Sequence, residues 1–444
     1  MRHEAKKHVY PNGLTLIVDE APQLKSVAIG AWVKTGSRHE SSDLAGMCHF
    51  LEHMIFKGSE KRGASEISKA VDRVGGDFNA FTSREHTCFH FYLPHQEVQL
   101  GADLLQEILF KPLFERKEIE KERQVILQEI AMTKENPEED SFDRFLEKAY
   151  SSHPLGRNIL GTRKSVESIH RPRILAFFHD HYRPENMVLA VSGAVGFEKC
   201  KRVFSRIGEG AWPGRGRHRP LKPVWGTSPP EGTTPGFWWW DEDSEQAHVL
   251  YGISAPVRNQ QERVISTMIQ QHLGGGMSSV LFDRIREKKG WAYSVYAQAL
   301  QFLDASVFSI YSGIKPDRVV DALSVFHQEL QKIAREGIPP QDLKRIQDSL
   351  VYSFELSLES SESRMMTISG SELFFKRGFT FPAYERLIRS IRTPETRDLA
   401  QHWVRGGSPT ILVQCPYPKN REARQAIRAG ALRLTGLPPI VEKS

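Results

Sequence analysis

Gly46-Met47-Cys48-His49-Phe50-Leu51-Glu52-His53-Met54-Ile55-Phe56-Lys57-Gly58 decides how the rest of this 444-residue chain is read. Leu44, Met47, Cys48, Leu51 and Ile55 recur at helical spacing, which predicts an amphipathic helix over about 43–57. Ser42 or Asp43 can cap its start and Gly58 can stop it. His49 and His53 are then one turn apart and project from one face, off the apolar stripe. Two imidazoles so placed can grip one metal ion, while Glu52 beside them stays free to act as a general base. With 17 His and 54 Asp plus Glu in the chain, H-x-x-E-H arises by chance at most about one time in ten, and the helical frame lowers that further. The alternative is two histidines that merely pack or face solvent on an amphipathic helix.

The order H-x-x-E-H is the reverse of the H-E-x-x-H of thermolysin-like zinc enzymes. The segment 46–58 resembles the zinc site of the pitrilysin and mitochondrial processing peptidase family of inverted-zincin metallopeptidases, its bacterial single-chain members in particular. That resemblance implies a third ligand, a glutamate closing a Glu-Arg-x-Val-Ile-x-x-Glu segment. Glu122-Arg123-Gln124-Val125-Ile126-Leu127-Gln128-Glu129 fits it, and Glu129 lies 76 residues beyond His53. A catalytic zinc wants three protein ligands and a fourth position for water, so His49, His53 and Glu129 complete a site for one Zn2+ per chain. Glu122, two turns earlier on the same face, can hydrogen-bond a ligand histidine and fix its tautomer. It can also be a solvated charge among Glu118, Glu120, Lys121 and Arg123. Two positions depart from the family pattern: Cys48 stands where Ala is usual and Gln128 where a second Glu is common. Cys48 falls on the apolar stripe and reads as a small core residue.

Composition sets the frame. The length suggests two or more domains, and 39% hydrophobic residues are ample for full cores. No apolar run is long enough to span a bilayer, and the short basic start runs straight into the Pro11-Asn12-Gly13 turn, leaving no room for a signal or transit peptide. The expectation is a protein of the bacterial cytoplasm with no membrane partner. Cysteines at 48, 88, 200 and 415 show no paired spacing and no C-x-x-C, which predicts reduced thiols. A net charge of +6 over this length is weak evidence for nucleic acid, no recognition motif accompanies it, and none is expected to bind.

The Gly- and Pro-rich stretch 209–236 reads as a linker between an N-terminal zinc-binding catalytic domain, 1–208, and a metal-free C-terminal domain, 237–444. Patterning predicts strands at 14–18, 26–34, 78–83, 87–93 and 187–193, and helices at 64–74, 97–109 and 115–134. After the linker the order recurs, with strands near 237–241, 246–253, 291–301 and 306–313 and helices at 259–273 and 278–288. Aligning His53 with His272 places Met268 opposite His49 and Gln271 opposite Glu52, so the second copy lacks the metal site. The resemblance implies the same architecture: an α+β fold of two homologous α/β-sandwich halves, each a mixed, largely antiparallel sheet with packed helices. Joined by the linker, the halves form one half of a clamshell around a closed chamber.

In the second half, Leu273-Gly274-Gly275-Gly276-Met277-Ser278-Ser279 lacks the Lys-Ser/Thr ending of a phosphate-binding loop, which rules against nucleotide binding. Arg286 and Tyr293, seven apart, resemble the family's Arg and Tyr pair, which holds the substrate backbone and stabilises the oxyanion; read without the family, Arg286 is an ordinary surface arginine. Gly76-Asp77-Phe78-Asn79-Ala80-Phe81-Thr82 resembles the strand beside the metal on which an extended peptide adds as a further strand, with Asn79, Ala80 and Phe81 as substrate contacts. Asn79 can equally make a local turn contact. The acidic run Glu135-Asn136-Pro137-Glu138-Glu139-Asp140 is either a solvated loop or a preference for basic peptides. Together these features imply a zinc endopeptidase that encloses unstructured peptides in a homodimeric chamber, since one chain carries both the metal motif and the Arg and Tyr pair. The alternatives are the catalytic subunit of an obligate heterodimer and a non-enzymatic peptide-binding scaffold.

Overall fold

Apolar side chains on both faces of the strands build the first sheet. It comprises β1 (Lys6–Val9), β2 (Thr15–Glu20), β3 (Ser26–Val33), β4 (Asp77–Thr82), β5 (Thr87–Pro94) and β6 (Met187–Gly193), in the order β1-β2-β6-β3-β5-β4. Leu16, Val18, Ile29, Ala31, Phe89, Phe91 and Leu189 point to one face, and Ile17, Ala28, Trp32, Cys88, Val188 and Ala190 to the other. A sheet apolar on both sides must be covered on both sides. The computed structural model describes residues 4–209, 230–241, 244–376, 380–415 and 421–435.

The second sheet comprises β7 (Gly236–Asp241), β8 (Ala247–Ser254), β9 (Ala292–Gln301), β10 (Ser306–Ile314) and β11 (Thr410–Cys415), in the order β7-β11-β8-β10-β9. Each sheet holds one parallel pair, β2 with β6 and β7 with β11, and is otherwise antiparallel. Set β1 aside and the two match strand for strand, so the expected pair of homologous halves with mixed, largely antiparallel sheets is what the chain folds into. Each expected strand is present to within two residues at either end. β1 and β11 are additional to the expected strands, the first because Lys6-Lys7-His8-Val9 is a short, exposed edge with no alternation to read.

The sheets' covers do not follow the order of the chain. The helices Met47–Ile55 and Val98–Phe110 pack on the first face of the first sheet, but its other face is covered by the helix Ser361–Phe375, from the second half of the sequence. Met365 and Ile368 pack there, and Arg364 donates two hydrogen bonds to Asp19 of β2, at 2.6 and 2.9 Å. The second sheet is covered in return by the helix Pro137–Ala149, from the first half, through Phe145 and Leu146 against Leu250, Tyr311 and Leu412. Hence two compact units form, one of residues 1–131, 157–227 and 353–384, the other of 132–156, 228–352 and 385–444. Of the expected linker at 209–236, residues 210–229 lie outside the described residues.

The acidic run finds its use in this exchange. Asn136 caps the helix Pro137–Ala149, Tyr296 donates to Glu138 at 2.6 Å, and buried Asp140 pairs with Arg144 and accepts from Gln414. Acidic residues in a first helical turn also suit the positive end of the helix dipole. The expected helix at 278–288 is present over 280–287, wound as a π-helix from Phe282 to Glu287.

Candidate metal centre

The helix that carries the motif is shorter than its pattern. It runs Met47–Ile55, preceded by a separate 3-10 turn at Ser42–Leu44, so neither Ser42 nor Asp43 caps it. Its start is made by Gly46, at φ +90, where a Cβ would lie 2.5 Å from the Leu160 carbonyl oxygen. The capping group is Glu40: its buried carboxylate accepts from the backbone N–H of Gly46 at 2.9 Å and of Cys48 at 2.7 Å. Burial pushes Glu40 up to about 7, against the pull of these bonds. A nine-residue helix does not stand alone in water. Packing holds it, with Met47, Cys48, Phe50, Leu51, Met54 and Ile55 all in the core, each large side chain contributing roughly 1.5–3 kcal/mol.

His49 and His53 project from the opposite side, as the spacing requires, with ring centroids 4.6 Å apart. Glu129 reaches them from the helix Arg116–Glu135, its two oxygens 3.6 Å from His49 Nε2 and 3.6 Å from His53 Nε2. One donor atom from each of the three lies within 4.8 Å of the others, the only such metal-capable cluster among the described residues. Tetrahedral zinc with bonds of about 2.0–2.1 Å keeps its ligand atoms roughly 3.4 Å apart, close to the 3.6 Å that separates each imidazole Nε2 from a Glu129 oxygen. Burial, then the neighbouring His53, pushes His49 down to about 3, which keeps its ring neutral and its lone pair available.

Of the two readings of Glu122, the structure shows the contact with a histidine, His53: its Oε2 is 3.1 Å from His53 Nδ1, and its Oε1 is 2.7 Å from Lys57 Nζ. The ammonium holds the carboxylate and the carboxylate orients the imidazole, leaving Nε2 to face the metal position. His49 has no such support, since its Nδ1 is buried with no hydrogen-bond partner among the described residues, and its ring is fixed by packing. Glu52 is partly buried on the same helix, and desolvation raises its pKa above the ordinary carboxylate value. The Thr82 hydroxyl donates to Glu52 Oε2 at 2.5 Å.

Thr82 ends β4, an edge strand bonded only to β5 among the described residues, so its outer edge has no strand partner; the Phe78 N–H donates instead to the side chain of Asp77 at 2.8 Å. Ala80 and Phe78 lie on the face packed toward the metal helix; Asn79 and Phe81 point the other way, Asn79 accepting from the Ala80 N–H at 2.8 Å. Arg286 and Tyr293 lie in the second compact unit and are brought together there. The guanidinium is 5.3 Å from the Tyr293 ring centroid and 4.7 Å from that of Phe282, and Tyr293 is 77% exposed. Glu40, Lys57 and Thr82 are the residues that sequence reasoning missed. Thr82 stands inside a stretch that the sequence singles out, whereas nothing in the local spacing marks Glu40, whose role depends on the reversal at Gly46.

Residues 15–163 match the model of the insulinase family, peptidase family M16, and residues 168–350 match the peptidase M16 inactive domain. An uncharacterized zinc protease of Mycobacterium tuberculosis is 34% identical over 426 residues, covering 96% of this chain and 96% of its own. One from Bacillus subtilis is 32% identical over 398 residues, covering 89% and 95%. Among solved structures, a protease from Helicobacter pylori superposes with a TM-score of 0.85 at 21% identity, covering 94% of this chain and 100% of that one. A peptidase M16 inactive domain from Pseudomonas fluorescens gives 0.83 at 16%, covering 94% and 99%. At those identities the structural likenesses speak to the fold alone.

Proposed function

Given that this chain belongs to the insulinase-type peptidase family M16, we propose that it is a zinc-dependent endopeptidase that hydrolyses unstructured peptides or short unfolded segments. The observation that carries the reading is the convergence of His49, His53 and Glu129 beside the partly buried Glu52, which shares a helix with the two histidines. When bound, zinc supplies Lewis-acid polarisation of water and of the scissile carbonyl. His49, His53 and Glu129 hold it, one ion per chain, and Glu122 keeps His53 in the ligating tautomer. Glu52 takes the proton of the attacking water and passes it to the leaving amine. The open edge of β4, at Asn79, Ala80 and Phe81, accepts the peptide as an added strand. Exposed Tyr293, with Arg286 behind its ring, shares the charge that develops on the carbonyl oxygen.

We further infer a homodimer, since the metal ligands and the Arg286 and Tyr293 pair are both present in one chain. Four buried free cysteines and bacterial relatives favour a reducing compartment, the bacterial cytoplasm. Among the described residues no helix is long and apolar enough to cross a membrane.

Metal content and cleavage of a quenched, unstructured peptide, measured on the wild type and on Glu52→Gln purified alone, test the reading. Roughly one zinc in both proteins with cleavage in the wild type only is expected, the loss being about 10²–10⁴-fold. Absence of zinc from the wild type, or equal cleavage by both proteins, would sink it.

A further inference from the structure

A general base needs more than the right pKa: its carboxylate must point at the water, and glutamate has three side-chain torsions with which to miss. Among the described residues Glu52 has one hydrogen-bonding anchor, the Thr82 hydroxyl on Oε2 at 2.5 Å. That hydroxyl is itself held rigidly. Thr82 pairs with Thr87 at the closed end of the β4–β5 hairpin, where Ser83 N donates to the His86 carbonyl at 2.8 Å and Ser83 Oγ accepts from the N–H groups of Glu85 and His86. Within the turn, Glu85 meets Arg38 at 2.5 Å in an ion pair whose arginine side chain is wholly buried, and at the start of β5 Thr87 Oγ1 donates to the Thr35 carbonyl at 2.9 Å. The hairpin is thus pinned to the loop that leads into the metal helix, and Thr82 projects from it at a fixed place.

We propose that Thr82 is a positioning residue: its hydroxyl occupies Glu52 Oε2 and so aims Oε1 at the reacting water. The strand whose open edge takes the peptide then also sets the base, which ties substrate docking to catalytic geometry. This rests on the peptidase reading above.

The test compares wild type, Thr82→Val, Thr82→Ser and Glu52→Gln. Zinc content should be one per chain throughout. Thr82→Val, of nearly equal volume, should lower kcat about 10–100-fold with KM within about twofold, and Thr82→Ser should recover kcat to within about threefold. In crystals of the variants, the Glu52 carboxylate should remain on residue 82 when it is Ser and swing away when it is Val. An unchanged kcat in Thr82→Val, or a loss shared by Thr82→Ser together with loss of zinc, overturns the proposal. An inactive wild type overturns the peptidase reading and this inference with it. With an active wild type and an inactive Glu52→Gln, the peptidase reading stands and the kcat of Thr82→Val decides the role of Thr82 alone.

Discussion

The helices Met47–Ile55 and Gln260–Gly274 follow corresponding strands, β3 and β8, in two sheets of one topology, yet among the described residues only the first contributes to a cluster able to hold a metal. In the first, His53 Nδ1 meets Glu122 at 3.1 Å and its Nε2 turns toward Glu129. In the second, buried His272 approaches Asp342 at 3.7 Å through the same nitrogen, and Met268 and Gln271 stand where a second histidine and the base would be. The duplicate keeps a histidine leaning on a carboxylate and has lost the convergence of donors. The architecture therefore holds without the donor cluster, because the sheet and its covering helices are held by apolar burial while the proposed function rests on four side chains.

Exchange between the halves should show the largest effect. His49→Ala or His53→Ala leaves two donors, and zinc affinity should fall by more than the 10–100-fold typical of an outer partner, taking peptide cleavage with it. His272→Ala should leave both unchanged. Zinc titration against a competing chelator, alongside the cleavage assay, checks the contrast; loss of zinc on replacing His272 would break it.

The next contrast is between the two exchanged helices. Asp19→Ala strands the Arg364 guanidinium in a buried site and should cost about 3–5 kcal/mol. Asp140→Ala removes a carboxylate whose partner Arg144 is more open to water, so about 1–3 kcal/mol is expected. Urea unfolding followed by tryptophan fluorescence and circular dichroism ranks them, and a wild-type midpoint for Asp19→Ala would show that the helix 361–375 does not depend on its ion pair.

How far these features can be read from the sequence differs by kind. Helical spacing exposes His49, Glu52 and His53, since a period of 3.6 is local information. Glu129 comes from a resemblance, because no local rule connects residues 76 apart. Strands with both faces buried show in their apolar runs, but the exchange of helices 137–149 and 361–375 is invisible: an amphipathic helix declares that it needs a partner, not which sheet provides it. The cap fails for a related reason. Ser42 and Asp43 satisfy the local rule, yet a carboxylate brought back by a left-handed glycine displaces them.

A smaller step sharpens the first comparison. Glu122→Gln keeps the shape but weakens the acceptor that orients His53, so zinc affinity should fall 10–100-fold. Asp342→Asn, beside His272, should leave it unaltered. The same chelator competition reads both, and equal, undiminished affinity would mean that packing alone sets the His53 ring.

Cys48 should give the smallest effect, despite standing next to a proposed metal ligand. Its side chain is turned into the core, burial raises its thiol well above the ordinary value, and Glu40 nearby pushes in the same direction. The anchoring of the helix start uses the Cys48 backbone N–H, which any residue other than proline retains. Cys48→Ala, which restores the family's usual residue, should therefore cost at most about 1 kcal/mol and leave zinc content and kcat as they are. Iodoacetamide should label native Cys48 no faster than unfolding permits. Rapid labelling that zinc suppresses would instead place the thiol beside the metal and make this position, like Thr82, part of the site.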